Sequence, residues 1–256
     1  MEKATVYFTK EITPEALVRI YQAVGRPLTG KVAVKISTGE PGGHNFLNPQ
    51  LIKGLVQKLN GTIVECNTAY GGKRSNNKDH WQTFKDHGFM DIAPCDLMDE
   101  NGDMALPVQA GFRLKENYVG DHLKNYDSVL ILSHFKGHAM AGLGGALKNI
   151  SIGIASARGK AYIHSAGKTL TGFVPTEQDA FLESMADADR AVLDYVGREH
   201  MLYINVANRL SVDCDCDSHP AEPEMADIGI FASTDPVGVG PACLAAGYTF
   251  PPPRQK

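Results

Sequence analysis

A chain of 256 residues, 43% hydrophobic and 21% charged, is long enough to bury the core of one α/β domain, 1–256, or of two lobes, 1–125 and 126–256. Its net charge of -4 lacks the basic surplus of a nucleic-acid binder, and no apolar run approaches the roughly 18 residues of a membrane span. Five cysteines, an odd number, do not suggest a disulfide framework, and the amino terminus carries no signal-peptide pattern, so the expected location is the cytoplasm.

Thr5 to Thr9 reads as a strand, and Thr13-Pro14-Glu15 opens a helix with Thr13 as cap and Pro14 at the first helical position. Lys31 to Ser37 alternates apolar and polar residues, as a strand should, then enters the glycine loop Thr38 to His44. Asn48-Pro49 starts a second helix that ends near Asn60-Gly61, and Thr62 to Cys66 is the next strand. A loop rich in Gly, Lys and Asn (67–78) precedes a helix through Trp81 and Phe84. Irregular structure with a hairpin-like excursion is expected between Pro94 and Tyr118. The alternation of strands and helices predicts an α/β fold, a mostly parallel sheet with helices on both faces.

The most informative stretch is Ser133-His-Phe-Lys-Gly-His-Ala-Met-Ala-Gly-Leu-Gly-Gly-Ala-Leu-Lys-Asn149, which follows the buried-strand run Asp127 to Ser133 and leads into a helix. Titratable groups and glycines after such a strand belong at the carboxyl edge of a parallel sheet, where ligands bind. Gly142, Gly144 and Gly145 are candidates to bring amides at a helix start up to an anion; the alternative is that they let helix and sheet pack closely. Neither the dinucleotide fingerprint nor the phosphate-loop pattern is met, because residue 147 is Leu and no Gly-Lys-Ser/Thr follows. Lys148, among small apolar residues, is a candidate to hold an anion or, when desolvated, to act as a base. Lys136 and His138 are further candidates for acid–base work. His134 and His138 are spaced as two metal-binding imidazoles on one helical face, although Gly137 argues against a regular helix there.

Beyond this stretch, Ser151 to Gly159 is small and apolar, with basic groups at Arg158, Lys160 and His164. Thr176 reads as the cap of a helix from about Glu177 to Val196, and strands at Met201–Val206 and Asp227–Phe231 flank an acidic loop. That loop holds Asp213-Cys-Asp-Cys-Asp217; in extended backbone, Cys214 and Cys216 face one way and the three aspartates the other. Two such thiols are credible soft-metal or iron–sulfur ligands, two of the four that a closed site needs, with His134, His138, Cys66 or Cys95 to be supplied by the fold. Asp235 reads as the cap of a last helix, and the Gly- and Pro-rich tail 238–256 opposes a long one, so its last turns are expected to be weak.

The 133–149 run resembles the signature of the family called domain of unknown function 362, whose members are often labelled iron–sulfur center proteins. Asn205 to Asp217 and Asp227 to Pro236 are similar to its later segments. Many relatives carry an inserted ferredoxin-like module after the position of His164. Ser165 to Pro175 contains no cysteine here, which excludes a pair of standard clusters, and the tail is atypical or truncated beside those relatives. More distantly, Gly-Gly-x-x-Lys after a His-containing loop resembles the lactate racemase family, which implies a nickel-pincer cofactor.

These observations support a metal- or iron–sulfur-associated protein, an enzyme or redox protein acting on a small anionic molecule. Cys214, Cys216, His134 and His138 would bind the metal, and Lys148, Lys136 and His138 would be catalytic. Gly142, Gly144, Gly145 and Lys148 would hold the anion. The alternatives are a metal-independent enzyme for a phosphorylated or carboxylated substrate, and a non-catalytic binding or assembly protein. The first reading requires thiols and imidazoles to converge from positions 80 residues apart, 134 to 214.

Overall fold

The computed structural model describes residues 4–223 and 225–249. Strand β1 (Val6–Thr9) leads to helix α1 (Pro14–Val24), which starts as its sequence requires: Thr13 Oγ1 accepts the Ala16 amide at 3.1 Å and Pro14 lies in the first turn. β2 (Val32–Lys35), α2 (Pro49–Lys58), β3 (Thr62–Glu65) and α3 (Asn77–Asp86) follow, with Asn48 and Asn76 capping the two helices through their side chains. After β4 (Cys95–Leu97), an antiparallel hairpin of β5 (Asp103–Pro107) and β6 (Glu116–Gly120) leaves the main sheet. The remaining elements are β7 (Ser128–His134), a small hairpin of β8 (Lys136–His138) and β9 (Gly142–Gly144), α4 (Ala146–Ile154), α5 (Ala157–His164), α6 (Gln178–Val196), β10 (Met201–Ala207), β11 (Gly229–Ser233) and α7 (Pro236–Thr249).

Seven strands form one sheet in the order β1-β11-β10-β7-β2-β3-β4, with strands from both sides of residue 125. β11 is antiparallel to both its neighbours, and every other pairing is parallel. Helices cover both faces, as the sequence predicts. Leu130, Leu132, Val34 and Ile204 pack with α1 and α2 on one face, and Ile131, Val129 and Tyr203 pack with α4 and α6 on the other. Side chains of the central strands are therefore buried on both sides, as parallel strands demand.

The order of connection places the site. From β2 the chain moves outward to β3 and β4; from β7 it moves the other way, to β10. The carboxyl ends of β2 and β7 thus flank the point where the winding reverses, the place where such sheets open a ligand crevice. The loops leaving β2, β3, β7 and β10 all emerge at this edge.

Several elements depart from the sequence reading. The alternation in Lys31 to Ser37 does not mark a solvated face: all four residues of β2 are buried, and Lys35 is turned inward to Glu65. β4 extends the main sheet from a region expected to be irregular, while the expected hairpin there is present. Its loop is held because the buried Asp187 carboxylate accepts the amides of Phe112, Arg113 and Leu114 at 3.0, 2.7 and 2.9 Å. Ser156, not foreseen as a cap, starts α5, whereas Thr176 does not cap α6; its hydroxyl donates to Val174 O instead. The last helix runs through Gly238, Pro241 and Gly247 to Thr249, longer than its composition favours. Packing on β10, β11 and α4, with Val239 and Cys243 fully buried, overrides propensity there. Residues 250–256 of the tail lie outside the described residues.

Gly159 seats α5 against β6. A Cβ at this position would lie 1.9 Å from the Tyr118 carbonyl oxygen, with backbone on both sides of the clash. Gly159→Ala is expected to lower stability by about 1–3 kcal/mol, as overpacking does; urea unfolding of the variant beside the parent measures it.

Candidate functional site

The floor of the crevice is a buried charge network grown from β2, β3 and the loops that follow them. Lys35 Nζ donates to Glu65 Oε2 at 2.8 Å and to Asn149 Oδ1 at 2.9 Å. Arg74 donates to Glu65 Oε1 at 3.2 Å, to Glu40 Oε1 at 3.0 Å and to the Tyr70 hydroxyl at 2.9 Å. Burial alone would raise the Glu65 carboxyl, but Lys35 and Arg74 outweigh it and hold the pKa at about 2. His80, beneath this network, is driven down to about 3 by burial.

The second layer comes from β7 and the acidic loop after β10. Asp215, buried, accepts from His134 Nδ1 at 2.8 Å and from Lys136 Nζ at 2.6 Å. Burial opposes ionisation of Asp215, and the two cationic partners overcome it and carry its pKa well below the carboxylate range. Burial would lower the Lys136 ammonium, and Asp215 together with the neighbouring Cys214 and Cys216 outweighs it and holds the amine above its ordinary value. The other nitrogen of His134 is taken by Asn208 O at 2.7 Å. Both ring nitrogens are engaged, so His134 orients Asp215 and offers no free lone pair to a metal.

Asp215 sits between the two cysteines, so its anchoring aims them. The segment is a turn, closed by the Asp217 amide donating to Cys214 O at 2.9 Å, and not extended backbone. The alternation is kept only in part: Asp215 faces β7 and both thiols face the crevice, but Asp213 and Asp217 line a neighbouring pocket together with the two cysteines. The Cys216 amide donates to Cys214 Sγ at 3.3 Å, and Lys148 Nζ lies 4.0 Å from the same sulfur. A hydrogen bond from the Cys216 thiol, with Lys148 and His138, overcomes burial and lowers the Cys214 pKa well below the usual thiol value; the same contact raises Cys216. The contact thus pulls the two thiols apart, Cys214 downwards and Cys216 upwards.

His138 completes this corner. The segment 134–138 is not a helix: His134 ends β7 and His138 ends β8, so the four-residue spacing does not put them on one face. One ligand atom each from His138, Cys214 and Cys216 lie within 4.8 Å of one another. The acidic loop reaches His138 because Gly137 lets it cross; a Cβ there would be 2.4 Å from Val212 O. His138 Nδ1 accepts the amides of Met140 and Ala141 at 3.2 and 3.0 Å, which assigns the ring proton to Nε2.

Two soft sulfurs and an imidazole are three donors of a tetrahedral site, with the cavity at the fourth position, the arrangement of an open metal centre. They fit a soft divalent ion, with one rearrangement: ligation through Nε2 moves the His138 proton to Nδ1 and turns away the amides of 140 and 141. A four-cysteine cluster is not assembled among the described residues. Cys66 donates to Ile154 O deeper in the cavity, Cys95 lies on β4, and Cys243 is buried in α7.

The cavity, about 470 Å³, continues from the thiols past Lys148 to Lys160 and His164, under Phe173 and Val174. Gly144 and Gly145 line it and Gly142 does not. Gly142 supplies a positive φ of 73° at a turn, and a Cβ on Gly144 or Gly145 would press on Lys136 or Phe135 at 3.1 Å, so turn geometry accounts for the first and close packing for the other two. The first amide of α4 donates to Asn205 Oδ1 and is not offered to an anion. Of the weaker candidates, Tyr70 and Arg74 reach the cavity, while His44 pairs with Glu222 at the surface. Sequence reasoning missed Asp215 as the clamp, Lys35, Glu40 and Glu65 as the floor, and Lys160 as a cavity residue.

His164 Nδ1 donates to Lys160 O at 2.7 Å, and burial holds the ring neutral, its pKa brought down to about 4. Because the folded values of His80 and His164 are depressed, folding favours their neutral forms. That stability is present above pH 6.5 and is lost as the pH falls from 6.5 towards 4 and below. His164 alone contributes about 3 kcal/mol of this loss, so urea unfolding from pH 7 to 4 should show a steep decline that His164→Gln makes shallower. Asp215→Asn, which leaves Lys136 buried without its counter-charge, is expected to cost about 3–5 kcal/mol in the same assay.

Residues 32–245 match the model of a family described as Domain of unknown function (DUF362), and the chain belongs to that family. No curated protein matches it. Among solved structures, it resembles the lactate racemase apoprotein from Thermoanaerobacterium thermosaccharolyticum at 16% identity with a TM-score of 0.52, over 93% of this chain and 56% of that one. It also resembles a protein from Thermotoga maritima at 13% identity with a TM-score of 0.54, over 94% of this chain and 58% of that one. The chain thus spans little more than half the length of either, and what it shares with them is the fold.

Proposed function

We propose that this member of the DUF362 family is a metal-dependent enzyme acting on a small anionic molecule, with a soft divalent ion held by Cys214, Cys216 and His138. The observation that carries the reading is the approach of these three donors to within 4.8 Å at the winding-reversal edge of the sheet. A bound ion would supply Lewis-acid polarisation of a substrate oxygen. The chain's own groups do the rest. Lys148, with no carboxylate within 4.0 Å among the described residues, holds the anionic group; Asp215, fixed by His134 and Lys136, orients the thiols; Ile152, Phe173 and Val174 give the cavity an apolar wall. The fold shared with the lactate racemase apoprotein supports a metal-associated enzyme. The cytoplasm, where thiols stay reduced, is the location this reading takes, and neither nucleic acid nor membrane enters as a partner. Among the described residues no helix is long and apolar enough to cross a membrane.

Anaerobic purification followed by metal and acid-labile sulfide analysis tests the proposal. The expected result is roughly one metal ion per chain without sulfide, lost in a folded Cys214→Ala/Cys216→Ala variant. Protein that is metal-free under gentle handling and takes up neither zinc nor nickel would defeat it. Binding of a carboxylate or phosphate ligand that persists in the double variant would move the chemistry to the lysines.

A further inference from the structure

Three buried lysines line the cavity, and they are not equivalent. Lys35 is paired with Glu65 at 2.8 Å and Lys136 with Asp215 at 2.6 Å. Lys160, only 7% exposed, has no carboxylate within 4.0 Å among the described residues; its Nζ donates to the backbone carbonyls of Ala155 at 2.5 Å and Cys66 at 3.5 Å. The nearby Asp99 carboxylate is occupied by the amides of Asn67 and Ala157, at 2.8 and 3.1 Å. A buried amine without a counter-charge is held towards its neutral, nucleophilic form. Burial does depress Lys160, although Cys66, Asp99 and Glu65 act the other way and Lys35 adds to the depression. The backbone at this point is fixed by the close approach of Gly159 to β6, and the amine is held by its two carbonyl acceptors.

We propose that Lys160 is an imine-forming residue for small oxo acids, with Lys148 holding their carboxylate in the same cavity. This names a substrate class for the proposed site and rests on its anion-holding half, not on the metal. The neutral Lys160 nitrogen attacks the carbonyl carbon and forms a C–N bond. The carbonyl oxygen leaves as water with the two amine protons, and the imine nitrogen takes one proton from solvent. No oxidant or reductant is consumed.

Reductive trapping tests the assignment on the full chain. Pyruvate with cyanoborohydride, followed by peptide mass mapping, should place a single reduced adduct on Lys160 ahead of every exposed lysine. Lys160→Met should lose it. Because the map of the parent protein locates the adduct without any variant, a misfolded Lys160→Met does not spoil the test. Lys148→Gln should reduce labelling by pyruvate and leave labelling by uncharged propanal unchanged; an equal fall for both would overturn the role given to Lys148. Exposed lysines labelled while Lys160 stays unmodified would overturn the proposal as a whole. Repeating the trapping after chelation and in Cys214→Ala/Cys216→Ala separates the two readings: an adduct at Lys160 in metal-free protein upholds this one alone, and metal uptake without an adduct upholds only the metal site.

Discussion

The arrangement at the crevice depends on one carboxylate. Asp215 accepts from His134 at the end of β7 and from Lys136 at the start of β8, and its own carbonyl accepts the Glu40 amide from the loop after β2 at 2.9 Å. The loop after β10 is thereby tied to both strands that flank the winding reversal. The cysteines on either side of Asp215 then have little choice of direction. With Asp215 pulled towards β7, the turn at 214–217 leaves both sulfurs facing His138 and Lys148. Loops of this length are ordinarily mobile; here a buried ion pair supplies what short-range propensity does not. A buried pair of this kind adds little net stability beside an apolar substitute. Its evident yield is orientation.

The same logic governs the floor. Lys35 and Glu65 are the last residues of adjacent parallel strands, one position out of register, and Arg74 and Glu40 extend the network into the loops. Each charge is matched and each is fully hydrogen-bonded, the condition under which a buried network rigidifies its surroundings. Asn149 of α4 joins it by accepting from Lys35 and donating to the Lys35 carbonyl and to the Ser133 hydroxyl. One asparagine thus locks α4, and with it Lys148, to β2 and β7 at once.

What the sequence disclosed and what it hid divide along the range of the interactions. Helix starts at Thr13, Asn48 and Asp235 are local, a side chain bonding an amide two or three residues on, and they were legible. So were the alternating elements, and with them the α/β class, because parallel strands need crossover helices. The convergence of Cys214 and Cys216 on His138 was legible as a requirement from residue types. Its construction was not, since the Asp215 clamp spans 81 residues to His134 and leaves no periodic trace. Lys35 reads as the polar half of an alternating strand only because its partner Glu65 lies one strand away. The β8–β9 hairpin was hidden by its three glycines, which resemble an anion loop, although each is needed for a turn or a close contact. Helix α7 misled in the opposite sense: its composition opposes a helix, and burial of Val239 and Cys243 overrides it.

The charge pattern around the cavity separates structure from chemistry. Burying an ammonium without a partner costs several kcal/mol, so a fold under no other demand pairs it or removes it. This fold pairs Lys35, Arg74 and Lys136, each with a carboxylate on a different element, and those pairs hold strands and loops in register. It leaves Lys148 and Lys160 without carboxylates in the same enclosed space. Lys160 donates only to the backbone carbonyls of Ala155 and Cys66, and the half-buried Lys148 lies 4.0 Å from Cys214 Sγ, so neither has a carboxylate partner among the described residues. Basic side chains kept in a cavity without a carboxylate mark a place where a partner arrives from outside. The thiols bear on the same point. Lys148 lies beside the Cys214 sulfur, whereas Lys160 meets only backbone carbonyls. A ligand that pairs with Lys148 and reacts at the Lys160 amine would use both, which ties the identity of the substrate to the two lysines and the identity of any metal to the two sulfurs.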